Sequence, residues 1–155
     1  MEVGNGRPRC GLVRVLVVED GHEYIELCAR FGAHLATWSR VGSGAEALKV
    51  VRSGEADALL LDVCFRRLPN IYWLDPLPGQ ERWVRNVGTE QGLVILQHLR
   101  GLSPTLPVVL AMDPPRDPLR WQTIEARYAP IAPLGARLQP SSVVASLESM
   151  IPVTP

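Results

Sequence analysis

The chain has 155 residues, enough for one domain with a substantial core, and 46% of them are hydrophobic. Its formal net charge is zero, which argues against a strong non-specific grip on nucleic acid or on an anionic membrane. No apolar run approaches the roughly 20 residues of a transmembrane helix, and the N-terminus lacks a signal-peptide pattern. The three cysteines, Cys10, Cys28 and Cys64, lack metal-ligand spacing and favour unpaired thiols in a reducing cytoplasm.

The first part of the chain alternates short β-branched runs with segments of helical periodicity. We interpret residues 1–12, rich in glycine, as a flexible lead to a domain spanning residues 13–151. The elements predicted next are a strand over Arg14–Val18, a helix over about His22–Phe31, a strand over Ala33–Trp38, a helix over about Gly44–Ser53 and a strand over Ala58–Leu61. Ser43 and Glu46 are spaced as a capping box for the second helix.

Periodicity is then interrupted by a segment of about 25 residues at 66–90, which holds several prolines and three large aromatic residues. Such a segment is a surface loop, a lid over a site or a partner-binding surface, since loops of this length are uncommon without a function. Beyond it, the predicted elements are a helix from about Glu90 to Arg100, a strand over Pro107–Ala111, a helix over about Pro118–Arg127, a weak strand over Ile131–Leu138 and a last helix capped by Ser141 or Ser142.

Two helices carry apolar positions at helical spacing, which predicts the face that each one buries. In the first helix these positions are Tyr24, Leu27, Cys28 and Phe31. In the last helix they are Val143, Val144, Leu147 and Ile151. Because strands and helices alternate about five times with short connections, we predict an α/β fold with a doubly wound parallel sheet.

Carboxylates follow two of the predicted strands. Glu19 and Asp20 come directly after the first strand, and Asp62 follows the third. The carboxyl ends of parallel strands share one edge of the sheet, where ligands of open α/β sheets bind. Three carboxylates at one edge repel each other, and a divalent cation would relieve that repulsion. The sequence therefore predicts a divalent-cation site at this edge.

The chain resembles the receiver domain of bacterial two-component response regulators. The resemblance lies in Val15-Leu16-Val17-Val18-Glu19-Asp20, Gly44-Ala45-Glu46-Ala47-Leu48, Leu59-Leu60-Leu61-Asp62-Val63, Gly92-Leu93 and Leu106-Pro107-Val108-Val109-Leu110. It implies a flavodoxin-like, five-stranded sheet in the order 2-1-3-4-5. It also implies that Asp62 accepts a phosphoryl group from a histidine kinase. The resemblance further implies that Mg²⁺ is held by Glu19, Asp20, Asp62 and the backbone carbonyl of Cys64.

The sequence departs from that family where the phosphoryl group is sensed. The hydroxyl residue that normally ends strand four is matched by Ala111 or Met112, and the lysine before the proline that follows strand five is matched by Gln139. Ala136 stands near the position of the usual switch aromatic. These departures predict an atypical receiver, a signalling module that acts through protein–protein contacts with a histidine kinase or another signalling protein.

Two alternative functions remain open. One is a pseudo-receiver scaffold that is independent of phosphorylation. The other is a small Mg²⁺-dependent phosphatase or phosphotransferase, which would place a second catalytic aspartate where Cys64 stands. A second copy of the chain, forming a homodimer, is among the expected partners. Of these functions the resemblance favours the receiver module. We expect a cytoplasmic bacterial phosphoprotein that is not an enzyme and that contacts neither nucleic acid nor membrane.

Overall fold

The computed structural model describes residues 11–65, 91–112, 118–135 and 137–151. Its strands are β1 (Val13–Val18), β2 (Ala36–Val41), β3 (Ala58–Asp62), β4 (Val108–Ala111) and β5 (Ile131–Pro133). Its helices are α1 (Glu23–Gly32), α2 (Gly44–Arg52), α3 (Gln91–Leu102), α4 (Pro118–Tyr128) and α5 (Pro140–Met150). The predicted lead at 1–12, apart from its last two residues, lies outside the described residues, as do the segment at 66–90, Cys10 and Ala136.

The five strands form one parallel sheet in the order β2-β1-β3-β4-β5, which confirms the predicted doubly wound fold. The sheet has a hydrophobic core on each face. Alternate residues of the central strands pack into one core or the other, because successive side chains of a strand point to opposite faces. Leu16, Val18, Leu59 and Leu61 face helices α2, α3 and α4, whereas Val15, Val17, Ala58 and Leu60 face α1 and α5. Both faces are covered, which explains why β1 and β3 are nearly continuous apolar runs.

Helix α2 begins as its sequence predicts. The Ser43 hydroxyl accepts a hydrogen bond from the Glu46 N–H at 3.3 Å, and the Glu46 carboxylate accepts one from the Gly42 N–H at 2.9 Å. These bonds satisfy backbone donors at the helix start. Within the described part of the chain, no helix combines the length and the apolar character needed to cross a membrane.

Strand β2 lies three residues later than predicted, at Ala36–Val41 instead of Ala33–Trp38. Leu35 N–H bonds to the Gly32 carbonyl at 2.9 Å, so the chain is still turning out of α1 where the strand was expected. Because β2 is an edge strand with several partly exposed residues, it contains polar residues. These interrupt the apolar pattern from which the bounds of the strand were predicted.

Helix α1 buries a different face from the predicted one. Cys28 and Gly32 are buried, whereas Leu27 is 40% exposed and Phe31 is 55% exposed. A Cβ added to Gly32 would lie only 2.7 Å from the Cβ of Pro140, so a close approach at glycine sets the rotation of the helix. The prediction that Leu27 and Phe31 face the core is wrong for this reason.

Helix α5 begins at the amino edge of the sheet, beside the last residue of α1. Helix α1 ends at that edge because β2 follows it, with Ala36 paired to Val13. Leu134 still bonds to the Leu110 carbonyl at the carboxyl edge, at 2.8 Å. The five residue steps from Leu134 to 139 span about 16 Å when extended, enough to return along the sheet.

This return path shortens the last strand and moves the last helix cap. Strand β5 covers three residues and ends at Pro133, not at Leu138. Helix α5 begins with Pro140, so the predicted caps Ser141 and Ser142 lie inside it, and Ile151 lies just beyond its end. Proline at the first helical position needs no hydrogen-bond partner for its nitrogen, which explains this start.

Candidate functional site

The register of the sheet brings the predicted acidic positions to one edge. Val18 pairs with Leu61, so Asp62 directly follows one residue of this pair, and Asp20 lies two residues beyond the other. On the other side of β3, Asp62 pairs with Ala111, the last residue of β4. Asp20 and Asp62 are both partly exposed. Two carboxylates therefore stand at the carboxyl edge of the sheet, where the fold leaves a site open to solvent.

Glu19 belongs to the same turn, but its carboxylate is directed at α1. The side chain is only 1% exposed. Its two oxygens accept hydrogen bonds from the backbone N–H groups of Tyr24 (3.1 Å) and Ile25 (2.9 Å). These are donors of the first helical turn, which have no partner within the helix. Glu19 therefore satisfies the start of α1, where the helix dipole also favours a negative charge.

Asp62 is held by the turn that follows it. Its Oδ1 accepts a hydrogen bond from the N–H of Cys64 at 3.0 Å, and both residues are partly exposed. Helix α3 begins on top of this turn, with the Gly92 N–H bonded to the Val63 carbonyl at 3.0 Å. A Cβ on Gly92 would overlap the Asp62 carbonyl and the Val63 Cα, so only glycine permits this contact.

The residue beside Asp62 on β4 offers no hydroxyl group. Ala111 is 3% exposed and packs in the same core as Val109, which fits the match to the family's Ser or Thr position. Met112 follows it and is partly buried. On the β5 side, the residues that reach this edge are Leu134 and Gly135. The described residues of β4 and of the chain after β5 at this edge are thus uncharged and carry no hydroxyl group.

Gln139 precedes α5, which begins beside the amino edge of the sheet. It lines a groove of about 450 Å³ together with Phe31, His34 and Pro140, beside the end of α1. The start of α5 at the amino edge argues against the match between Gln139 and the family's lysine, which stays a prediction. Arg137, the nearby cation considered as a substitute, is exposed on the segment that crosses between the two edges.

Arg40 is a residue of this edge that the sequence analysis missed. It lies on β2 opposite Val17, and its guanidinium donates to the carbonyls of Gly21 (2.5 Å) and Glu19 (3.1 Å). The two carbonyls flank Asp20 in the chain. The predicted strand stopped at Trp38 and left Arg40 outside the sheet. The correct bounds of β2 would have revealed an arginine beside the acidic turn.

No group of three or more His, Cys, Asp or Glu side chains suited to a metal is found among the described residues. Since Glu19 is engaged by α1, the side-chain donors at this edge are Asp20 and Asp62. Mg²⁺ in proteins usually takes one or two carboxylates and keeps several waters. The donor set therefore fits Mg²⁺ better than a metal that needs a complete cage of protein ligands.

The Glu19 charge also acts on Cys28, a fully buried residue of α1. Burial, and secondarily the nearby Glu19 charge, raises the pKa of Cys28 from 9.0 to about 12. Between these two values the unfolded thiol ionises while the folded one stays protonated. The free energy of unfolding should therefore fall above pH 9, by up to about 1.4 kcal/mol per pH unit.

Urea unfolding of the wild type and of Cys28→Ala between pH 8 and pH 10.5 measures this effect. The difference in unfolding free energy between the two proteins should shrink as the pH rises, because alanine has no thiol to ionise. Parallel pH profiles would contradict the raised pKa of Cys28.

No protein-family model matches the sequence, and no curated protein matches it significantly. Similar solved structures include a CheY-like response regulator receiver domain protein from Methanospirillum hungatei, with a TM-score of 0.60, 13% identity, and coverage of 90% of this chain and 93% of that one. The chemotaxis response regulator CheY4 of Vibrio cholerae has a TM-score of 0.62, 16% identity, and coverage of 91% and 100%. An adenylate cyclase structure from Rhodopirellula baltica has a TM-score of 0.61, 17% identity, and coverage of 90% and 87%.

These likenesses and the sheet topology define the chain as a doubly wound, flavodoxin-like α/β domain. More particularly, its fold is that of the CheY-like response regulator receiver domains, as the sequence resemblance predicted. The sequence identities to these structures are only 13–17%, so this chain is a divergent example of that fold.

Proposed function

We propose that this protein is an atypical receiver module of a bacterial phosphorelay, with Asp62 as its phosphoacceptor. The observation that carries this proposal is the register that leaves Asp62 at the carboxyl edge, beside the strand that precedes Asp20. Asp62 is partly exposed and so is open to a phosphoryl donor. The fold supports a signalling role, since receiver domains share it.

The proposed metal donors are the carboxylates of Asp20 and Asp62 and the backbone carbonyl of Cys64. A bound Mg²⁺ would neutralise charge on the transferring phosphoryl group. Asp62 contributes the attacking carboxylate oxygen, which forms the new O–P bond as the N–P bond of a phosphohistidine donor breaks. The histidine nitrogen leaves and takes up a proton. Glu19, predicted as a fourth ligand, is proposed instead to hold the turn that carries Asp20.

The output of this module is proposed to pass through protein contacts. Ala111 has no hydroxyl to follow a phosphoryl group on Asp62, and neither Leu134 nor Gly135 carries a charge at this edge. These residues also favour the second candidate, a scaffold whose contacts do not depend on phosphorylation. In both cases the partner is a histidine kinase, another signalling protein or a second copy of the chain, in a bacterial cytoplasm. The protein would not itself be an enzyme.

Incubation of the full chain with acetyl phosphate and Mg²⁺, followed by intact-mass measurement, tests the proposal. We expect one phosphoryl adduct that hydroxylamine removes, no adduct with Asp62→Asn, and a normal adduct with Glu55→Gln. Glu55 is an exposed carboxylate beyond α2 and serves as the matched control. An adduct that persists in Asp62→Asn would reject Asp62 as the acceptor, and a wild type without any adduct would favour the scaffold.

A further inference from the structure

Arg40 is bound to the backbone of the turn that joins β1 to α1. Its Nε donates to the Gly21 carbonyl at 2.5 Å, and its Nη2 donates to the Glu19 carbonyl at 3.1 Å. Arg40 itself is partly buried near the end of β2. Arginine suits this task because its planar guanidinium presents several donors in a fixed fork. A single side chain thus binds the carbonyls of the two residues that flank Asp20.

The rest of this turn is fixed by contacts that surround Asp20 in the chain. The Glu19 N–H donates to the Val41 carbonyl at 3.2 Å, and the Glu19 carboxylate binds the start of α1. Glu19 is therefore held at its N–H, its carbonyl and its side chain, whereas Gly21 is held at its carbonyl by Arg40. Removing Arg40 would release both carbonyls, and the turn would then be held only by the contacts of Glu19 with Val41 and with the start of α1.

We propose that Arg40 is a positioning residue that fixes Asp20 relative to Asp62 and so sets the affinity of this edge for divalent cations. The inference rests on the metal site of the proposed function and adds a residue to it. A cation needs both carboxylates at ligand distance at the same time. Partners that orient metal ligands commonly change metal affinity 10–100-fold when they are replaced.

The positive charge of Arg40 predicts the opposite effect from its positioning role. A guanidinium near the edge repels a cation, so a purely electrostatic role would make Mg²⁺ bind more tightly once the charge is removed. A positioning role makes Mg²⁺ bind more weakly in any variant that loses the fork. The sign of the change in affinity therefore separates the two roles.

The test is a titration of the full chain with Mg²⁺ alone, in which the amide NMR shifts of residues around Asp20 and Asp62 report binding. We expect Arg40→Gln to raise the apparent Kd about tenfold. Arg40→Lys should raise it by a smaller factor, since lysine keeps the charge but cannot reproduce the fork. Arg52→Gln is the matched control, because Arg52 is an exposed arginine at the end of α2, and its Kd should equal that of the wild type.

Hydrogen exchange gives a second readout that does not need the metal. The amides of Glu19, Tyr24 and Ile25, which are hydrogen-bonded around this turn, should exchange faster in Arg40→Gln than in Arg52→Gln. Faster exchange together with a raised Kd supports the proposal. An unchanged or lowered Kd in Arg40→Gln overturns it, even if the wild type binds Mg²⁺ well.

A wild type that shows no Mg²⁺ response would overturn the metal site of the proposed function and, with it, the effect of Arg40 on affinity. Hydrogen exchange then still distinguishes the two failures. Faster exchange in Arg40→Gln would leave Arg40 as a purely structural clamp on the turn. Unchanged exchange would remove that role as well.

Discussion

Replacing Glu19 by alanine should lower the free energy of unfolding by about 2–4 kcal/mol. The side chain is 1% exposed, and its carboxylate accepts two backbone N–H bonds from the first turn of α1. Alanine would leave both donors without their acceptor and would open a cavity in the core near Cys28. His22, at the N-cap position, makes no side-chain cap hydrogen bond that could take over this task.

Glu19→Gln separates the contribution of the charge from that of the shape. Glutamine fills the same volume but offers one acceptor oxygen, so its amide nitrogen would face a backbone donor. We expect a loss of about 1–2 kcal/mol, since bonds to a charged acceptor are stronger than neutral ones. Glu125→Ala removes an exposed glutamate from α4 and should change stability by less than about 0.5 kcal/mol.

Urea denaturation at pH 7 measures all three variants against the wild type. A loss below about 1 kcal/mol for Glu19→Ala would show that water or a shifted side chain replaces the carboxylate easily. Glu19 would then be free to turn toward Asp20, and its role as a metal ligand would have to be considered again. A large loss supports its assignment to the start of α1.

The sheet could be predicted because its central strands carry simple signals. Buried parallel strands need apolar side chains on both faces, so β1 and β3 appear as unbroken Val and Leu runs. The carboxylates that follow these runs mark the strand ends, and parallel pairing then brings Asp20 and Asp62 to one edge. Strand order and acidic edge therefore follow from local sequence and from the rules of chain topology.

Other features depend on contacts between residues distant in sequence. The rotation of α1 is set where Gly32 meets Pro140, which are 108 positions apart in the chain, and periodicity alone could not choose that face. The start of α5 depends on a return segment with no strong pattern of its own. Gln139 could be matched to a family position only by assuming that the helix followed the strand at the same edge.

Hydrogen bonds from arginine side chains to distant carbonyls were invisible for the same reason. Arg40 resembles any polar residue of an edge strand, and Arg100 resembles an ordinary basic residue at the end of a helix. Their carbonyl partners become apparent only in the folded chain. The acceptors are backbone atoms, so the residue types of the partners do not indicate which carbonyls are bound.

Arg100 should be the most sensitive arginine of the core. Its guanidinium donates to the backbone carbonyls of Tyr128 (2.8 Å), Leu106 (2.7 Å), Pro130 (2.9 Å) and Ser103 (3.3 Å). One side chain thereby joins the end of α3 to the segments that enter β4 and β5. Burial lowers the pKa of Arg100 to about 10, so its charge is retained at neutral pH against a desolvation cost.

Arg100→Met should lower the free energy of unfolding by about 3–5 kcal/mol, because methionine fills much of the volume but donates no hydrogen bond to the four carbonyls. The Ser103 and Pro130 carbonyls keep a backbone N–H donor, so the loss falls mainly on the carbonyls of Tyr128 and Leu106. Arg100→Lys should fall in between, since one ammonium group cannot span the same acceptors. Arg52→Met is the control at an exposed helix end and should change stability by less than about 0.5 kcal/mol. Thermal and urea unfolding at pH 7 measure these differences, and equal losses in Arg100→Met and Arg52→Met would mean that water replaces the hydrogen bonds of the guanidinium.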